Sequence, residues 1–495
     1  MNLNSLQFDN AWMRLPEAFY SRVTPTAWRN TRVLDVSPLG AAQLGLDLES
    51  DSIDPERLEA LMAGRELLPG MTPIAQKYTG HQFGSYNPAL GDGRGLLLGE
   101  AVTAQGPMDL HLKGAGQTPY SRFGDGRAVL RSSIREYLAG EAMSGLGIPT
   151  TTALAVAVND ERVMRERVEP GATLLRLSPS HARFGHFEWL YQRRKVEDMQ
   201  TLLWHLIHRH RPEFAEADAP FEAFFADVVE RTANLIAAWQ AYGFVHAVMN
   251  TDNMSLLGLT LDYGPYAFME RYKPDWTPNH TDAGGRYAFE QQPGVGLWNL
   301  SVLAQSLTPL IDVERLREML DEYEPTLQRA YAQLMRARLG LTARTDDASP
   351  GDSSLVADWL KLLEQHQVDF HNAFRALGRY RGDDDSRRAL AEALEIAQDD
   401  TSLMAWLESY DQRLGEESRS HEARRCAMEA VNPCYVLRTH LVQDAIEAAA
   451  AGDSAPLQRM RERLASPFSR HDSDSGAWFL PPAVSAPPVC LSCSS

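Results

Sequence analysis

The chain has 495 residues, 66 acidic against 48 basic, a net charge of −18 and a hydrophobic fraction of 44% with ten Trp and seventeen Phe. That apolar content excludes global disorder, and the acidic balance excludes a general attraction to nucleic acid or anionic membranes, so any anion site has to be a local cluster of Arg and Lys. No apolar run reaches about 18 residues, the opening MNLNSLQFDNAWMRLPEAF lacks a basic n-region, and the only cysteines are Cys426, Cys434, Cys490 and Cys493, so a cytoplasmic protein without membrane span, secretory leader or disulfide scaffold is expected.

Residues 1–75 carry mixed local signals and are expected to form an N-terminal extension wrapped on the main body. From about 85 to 180, glycine-rich turns alternate with short apolar runs at Gly95–Gly99, Leu110–Lys113, Ala153–Val158 and Leu174–Leu177. These predict strands bounded by turns. Between them Ser132-Ser133-Ile134-Arg135-Glu136 opens a helix through Met143, which Gly145 and Gly147 close. A sheet with one inserted helix suits residues 76–185 as the small lobe of a kinase-like fold. Beyond 190 the period becomes helical, with Phe225, Val228, Val229, Thr232, Leu235, Ile236 and Trp239 at three- and four-residue steps before Gly243. A second apolar stripe runs from Leu316 to Leu334, broken or kinked at Pro325, and Trp359, Leu363, Phe370, Phe374 and Leu377 form a third. Residues 340–354 read as a surface loop, 186–480 as a helical large lobe with C-terminal helices, and 481–495 as a flexible, cysteine-containing tail. The expected class is α+β: a bilobal protein-kinase-like fold with an N-terminal extension and a helical C-terminal region.

Gly91-Asp92-Gly93-Arg94-Gly95 sets glycines at alternate positions. Glycine lets backbone amides approach phosphate oxygens, although a tight surface turn explains the same residues. Lys113 lies on an apolar strand and Glu136 on the following helix, the pairing with which a kinase holds phosphate; a solvated strand end is the alternative for Lys113. Arg176, inside Leu174-Leu175-Arg176-Leu177, and Arg183 are costly to bury without an anion, whether carboxylate or phosphate. Asp125-Gly126-Arg127 falls in the same glycine-rich region.

His246-Ala247-Val248-Met249-Asn250-Thr251-Asp252-Asn253, with Asp262-Tyr263-Gly264 further on, reads as an altered kinase catalytic loop and metal triplet. Asn253 and Asp262 supply the hard oxygen ligands that Mg²⁺ needs. Val248 occupies the position of the kinase base and cannot accept a proton, while a new carboxylate, Asp252, adjoins Asn253. Metal apparatus without ordinary phosphorylation chemistry is the implied combination. His205, His208 and His210 lack a zinc-ligand spacing. Cys490 and Cys493 are either a thiol pair able to exchange disulfides or two incidental cysteines.

Gly80-His81-Gln82-Phe83-Gly84, the run from Leu112 to Arg122, the run from Gly124 to Glu136, His246 to Asn253 and Leu261-Asp262-Tyr263-Gly264-Pro265 together resemble the selenoprotein O family of kinase-like protein adenylyltransferases, over nearly the whole chain. The resemblance implies that ATP lies reversed in the cleft, so that AMP passes to a Ser, Thr or Tyr hydroxyl of a protein, with UMP from UTP as a further activity. It implies nucleotide contacts from Gly91, Gly93, Arg94, Lys113, Asp125, Gly126, Arg176, Arg183 and Asp262. It also implies Mg²⁺ or Mn²⁺ on Asn253 and Asp262, Asp252 as the proton acceptor, and an ion pair between Lys113 and Glu136. Some members carry selenocysteine at the position of Cys493 and a tail disulfide to the activation segment. Residues 263–290 here contain no cysteine, so redox control would run within Cys490 and Cys493 or through Cys426 or Cys434. A monomer acting on protein substrates is expected, with neither nucleic acid nor membrane as partner. The rival readings are a kinase-type phosphotransferase with Asp252 as a displaced base, and a non-catalytic nucleotide-binding, redox-sensing scaffold.

Overall fold

A computed structural model describes residues 2–49, 52–342, 350–471, 474, 476–483 and 489–492, and among these there are twelve strands and a long helical region. The strands are β1 (Tyr20–Arg22), β2 (Thr31–Val36), β3 (Ile74–Gln76), β4 (Gly80–Gln82), β5 (Ser85–Asn87), β6 (Gly95–Thr103), β7 (Gly106–Lys113), β8 (Ala128–Val129), β9 (Thr152–Met164), β10 (Val168–Ser178), β11 (Phe244–Val245) and β12 (Ala267–Phe268). The main sheet runs β1-β3-β6-β7-β10-β9-β2 with β8 added on β10, and its pairs are antiparallel.

Side chains alternate across the sheet with period two. Leu96, Leu98, Leu112, Leu175 and Leu177 join one apolar cluster with Leu58 and Leu61 of the helix Pro55–Met62. Leu97 and Leu174 join the other, with Ile134 and Leu138 of the helix Leu130–Gly145. The same parity sends Lys113 and Arg176 away from Leu112, Leu175 and Leu177, toward that second helix.

The segment expected as a wrapping extension is part of the sheet. β1 and β2 form its edges, and the boundary drawn at 75/76 cuts through β3. Phe19, Tyr20, Leu34 and Ile74 enter the main core, so these strands are held by burial as well as by pairing. The boundary at 185/186 likewise falls inside the helix Phe184–Gln192. The C-terminal helices Thr439–Ala450 and Ala455–Ala465 return to the sheet region and pack on Leu130–Gly145. A methyl group at Gly145 would stand 2.1 Å from Leu464 O, so this contact demands glycine.

The helix expected around Phe225–Trp239 runs from Pro220 to Ala241. The second stripe divides into Val313–Asp321 and Tyr323–Arg338, which puts Pro325 in the first turn of the later helix, where its missing N–H costs nothing. The third stripe is two helices, Pro350–His366 and Phe370–Leu377. Gln367 takes a left-handed φ of 51°, and the Asp369 carboxylate caps the later helix by accepting from His371 N (3.0 Å) and Asn372 N (2.7 Å). The loop expected over 340–354 includes 343–349, outside the described residues, and the helix from Pro350 has begun before its end. In the tail, Leu491 and Ser492 are buried instead of free: Leu491 O accepts from His280 N at 3.1 Å, and Ser492 Oγ donates to Glu166 Oε1 at 2.6 Å.

Candidate active site

β7 and β10 set Lys113 opposite Leu174, and Arg176 opposite His111, on the face that meets the helix Leu130–Gly145. From that helix Glu136 reaches back, and two cations converge on its carboxylate: Lys113 Nζ on Oε2 and Arg176 Nε on Oε1 at 2.6 Å. Arg176 also extends Nη2 to Asp262 Oδ1 at 2.8 Å. Arg183, at the start of the helix Phe184–Gln192, donates from Nη1 to Asp262 Oδ2 and to Asp252 O at 2.9 Å, and its guanidinium lies 4.5 Å from the Tyr78 ring centre. Asp262 is therefore clamped between two arginines.

The opposing wall is the loop after β11, which pairs with β12. His246 is buried, its Nε2 2.9 Å from Leu261 O, tying the Asp252 loop to the Asp262 loop. Asn253 Nδ2 donates to Val248 O at 2.9 Å, which leaves the Asn253 carbonyl oxygen for another partner. Phe83, Arg122 and Asp262 all adopt left-handed φ without being glycine, and all three line the cleft. Backbone strain of this kind collects where function over-determines geometry.

Between the walls lies a cleft of about 570 Å³. It brings together Gly91, Gly93 and Arg94 from the loop before β6, Lys113 from β7, Asp125 and Gly126 from the loop before β8, Arg176 and Arg183, and then Asp252, Asn253 and Asp262. Glu136 stands behind Lys113 instead of on the cleft surface. Cys490 is not in the cleft; it is exposed, with Sγ 3.3 Å from His280 Nδ1. Cys493 lies outside the described residues. His205 packs edge-on against Trp12 and His208 stacks on Trp204, both away from the cleft.

A family model described as protein adenylyltransferase SelO matches residues 2–465. This chain belongs to the SelO family. Relatives bearing the name protein nucleotidyltransferase YdiU include one from Chromohalobacter salexigens, 64% identical over 100% of this chain and 99% of its own. Another, from Pectobacterium atrosepticum, is 47% identical over 96% of each chain, and one from Pseudomonas fluorescens is 49% identical over 94% of each. The chain is thus a protein nucleotidyltransferase, an enzyme with a nucleotide substrate and a protein substrate.

Within this SelO cleft two carboxylates have opposite environments. Asp252 makes no ion pair among the described residues; burial pushes it up to about 7 despite Arg183 nearby. Asp262, also weighed upward by burial, is held well below the carboxylate range by Arg183 and Arg176. Burial lowers Lys113 to about 8, with Glu136 opposing, so it stays protonated at neutral pH. Arg94 makes no ion pair among the described residues and is a free guanidinium in a cleft that already holds Lys113, Arg176 and Arg183. Asn253 and Asp262 both line the cleft, and their oxygens are of the hard type that a divalent cation such as Mg²⁺ takes beside phosphate and water.

Two residues of the site, Arg165 and Gln82, are given no role by any motif of the sequence. Arg165, in the β9–β10 hairpin, grips Asp125 with both nitrogens at 2.8 Å. Gln82 Nε2 donates to Asp252 Oδ2 at 3.2 Å. The second lay inside a run quoted for the family likeness, yet the run alone does not say what the amide touches. No helix among the described residues is long and apolar enough to cross a membrane.

Proposed function

We propose that the enzyme transfers AMP from ATP to the hydroxyl of a Ser, Thr or Tyr on a protein and releases diphosphate, with UTP as an alternative donor of UMP. The observation that carries this reading is the contrast between the two carboxylates of one cleft. Asp252 makes no ion pair among the described residues, and burial raises its pKa so that it can take a proton, while Asp262 is held ionised by Arg176 and Arg183. In the step, Asp252 accepts the hydroxyl proton as that oxygen bonds to the α-phosphorus. The bond from that phosphorus to the oxygen of the β-phosphate breaks, and diphosphate departs carrying the electron pair. Arg94, Lys113, Arg176 and Arg183, which line the cleft, offer the leaving diphosphate four cations. Asn253 and Asp262 would hold Mg²⁺ or Mn²⁺, whose chemistry is to screen the charge of the phosphates.

The test is incubation of the enzyme and candidate acceptor proteins with ATP, labelled on the α- or the γ-phosphate, and a divalent cation. Label from the α-position, matched by an adenylate mass increment on the protein, is the expected result. Transfer of γ-label without α-label would identify a phosphotransferase and overturn the proposal.

A further inference from the structure

The hairpin formed by β4 and β5 lies in the sheet half of the chain but packs against the loop that carries Asp252. Three consecutive residues of the hairpin engage three consecutive residues of the loop. His81 N donates to Thr251 Oγ1 at 2.7 Å, Gln82 Nε2 to Asp252 Oδ2 at 3.2 Å, and Phe83 N to Asn250 Oδ1 at 3.3 Å. The preceding Gly80 lies against the carboxylate itself: a methyl there would stand 2.9 Å from Asp252 Oδ1 and 3.0 Å from its Cβ. The imidazole of His81, 2.6 Å from Glu188 Oε2, ties the hairpin to the helix Phe184–Gln192. These contacts fix the hairpin on the loop from both sides of Asp252.

The orientation of the Gln82 amide is decided by its neighbours. Ala89 N donates to Asn87 Oδ1 at 3.0 Å, so the Asn87 side chain must present its nitrogen elsewhere. That nitrogen donates to Gln82 Oε1 at 3.0 Å, which leaves Gln82 Nε2 as the group turned to Asp252. The result is a directed chain from Ala89 through Asn87 and Gln82 to Asp252 Oδ2. The other carboxylate oxygen, Oδ1, is buried and has no hydrogen-bond partner among the described residues. A buried acceptor without a partner is costly unless it has a task.

From this geometry we infer that Gln82, oriented by Asn87, is a positioning residue: it holds one oxygen of Asp252 so that the unpartnered Oδ1 takes the proton of the incoming hydroxyl. A neutral amide suits the task, because it fixes the carboxylate without placing a full positive charge on it, as a lysine or arginine would. The inference rests on Asp252 being the proton acceptor in the proposed reaction.

Three variants and one reference test it. Gln82→Met keeps length and neutrality but removes the donor. Asn87→Asp leaves only acceptors at that position, so the Gln82 amide turns over to donate to it and offers Asp252 an oxygen. Each should lower kcat by about tenfold to a hundredfold, part of what general base catalysis supplies, with KM for ATP and the thermal midpoint unchanged. The double variant should be no slower than Gln82→Met alone, because both act through one bond. A merely structural role would instead give losses that add, or a loss of stability. Parental kcat in Gln82→Met, or a loss confined to KM, overturns the inference while Asp252→Ala remains inactive. Parental turnover in Asp252→Ala would instead overturn the reading of the reaction on which the inference stands.

Discussion

Replacing Glu136 by Gln removes the charge on which Lys113 and Arg176 converge while leaving its volume in place. Glu136, Lys113 and Arg176 are at 4%, 5% and 2% exposure, so water cannot take over from the lost partner. Removing one member of a buried ion pair costs about 3–5 kcal/mol, because the remaining charge stays buried. The depression of the Glu136 pKa by its two partners corresponds to a figure of similar size. Burial alone would raise it, but Arg176 and then Lys113 bring it from 4.5 down to about 2, a difference equivalent to about 3 kcal/mol. A carboxylate depressed on folding contributes stability that is fully present above its unfolded value and is lost as pH falls through its folded value. For Glu136 that window runs from 4.5 down to about 2. Glu136→Gln should therefore lose about 3 kcal/mol of unfolding free energy at neutral pH, read from the urea midpoint followed by tryptophan fluorescence. The gap to the parent should narrow as the solution is acidified through that window. A gap that keeps its full size in acid, or a neutral-pH loss below about 1 kcal/mol, the level of an exposed pair, would refute the reasoning.

Glu141 gives the opposite pH dependence. It is buried, accepts from the Ser37 hydroxyl, and burial pushes it from 4.5 up to about 7. Between those values the folded chain keeps a proton that the unfolded chain has released, so stability is highest below 4.5 and falls as pH rises to about 7. Glu141→Gln should match the parent in acid and exceed it above neutrality by about 3 kcal/mol, checked by urea midpoints on both sides of the window. Gly126→Ala probes the loop above the cleft. Gly126 has φ 69°, and an added methyl would lie 2.1 Å from Gly116 C and O, backbone atoms that cannot swing aside. Left-handed alanine costs about 1–2 kcal/mol before any clash, so nucleotide affinity measured by calorimetry should fall by about tenfold or more, and unchanged affinity would mean that the loop does not form part of the nucleotide cradle.

What could be read in advance follows from the range of the forces involved. Lys113 and Glu136 sit on elements whose period is local, strand parity for one and helix phase for the other, so their meeting needs only that the helix cover the sheet. β2 carries the same kind of alternation but pairs with β9, more than a hundred residues away, as in the bond from Thr31 Oγ1 to Asn159 Oδ1 at a separation of 128 residues. A short strand with so remote a partner leaves no local mark, and the first 75 residues look like an appendage for that reason. The break between the helices ending at His366 and beginning at Phe370 is hidden similarly, because the left-handed Gln367 has no glycine to announce it. Gln82 and Asp252 meet across 170 residues, and Arg165 meets Asp125 only through the turn of a hairpin.

The two buried arginines show how residue types can be legible while partners are not. Their positions on apolar segments demand an anion, and composition cannot choose between carboxylate and phosphate. In the structure the anion is Asp262, bonded by Arg176 Nη2 and Arg183 Nη1, with Glu136 taking Arg176 Nε. Yet a guanidinium has five N–H donors, and those contacts use two from Arg176, on Nε and Nη2. Among the described residues its Nη1 group and the second hydrogen of Nη2 are left over, in a cleft where Arg94 likewise has no carboxylate. The carboxylates therefore meet the cost of burying these charges without exhausting them. The same arginines that hold Asp262 ionised retain donors for a second anion, and in the proposed reaction that anion is the leaving diphosphate.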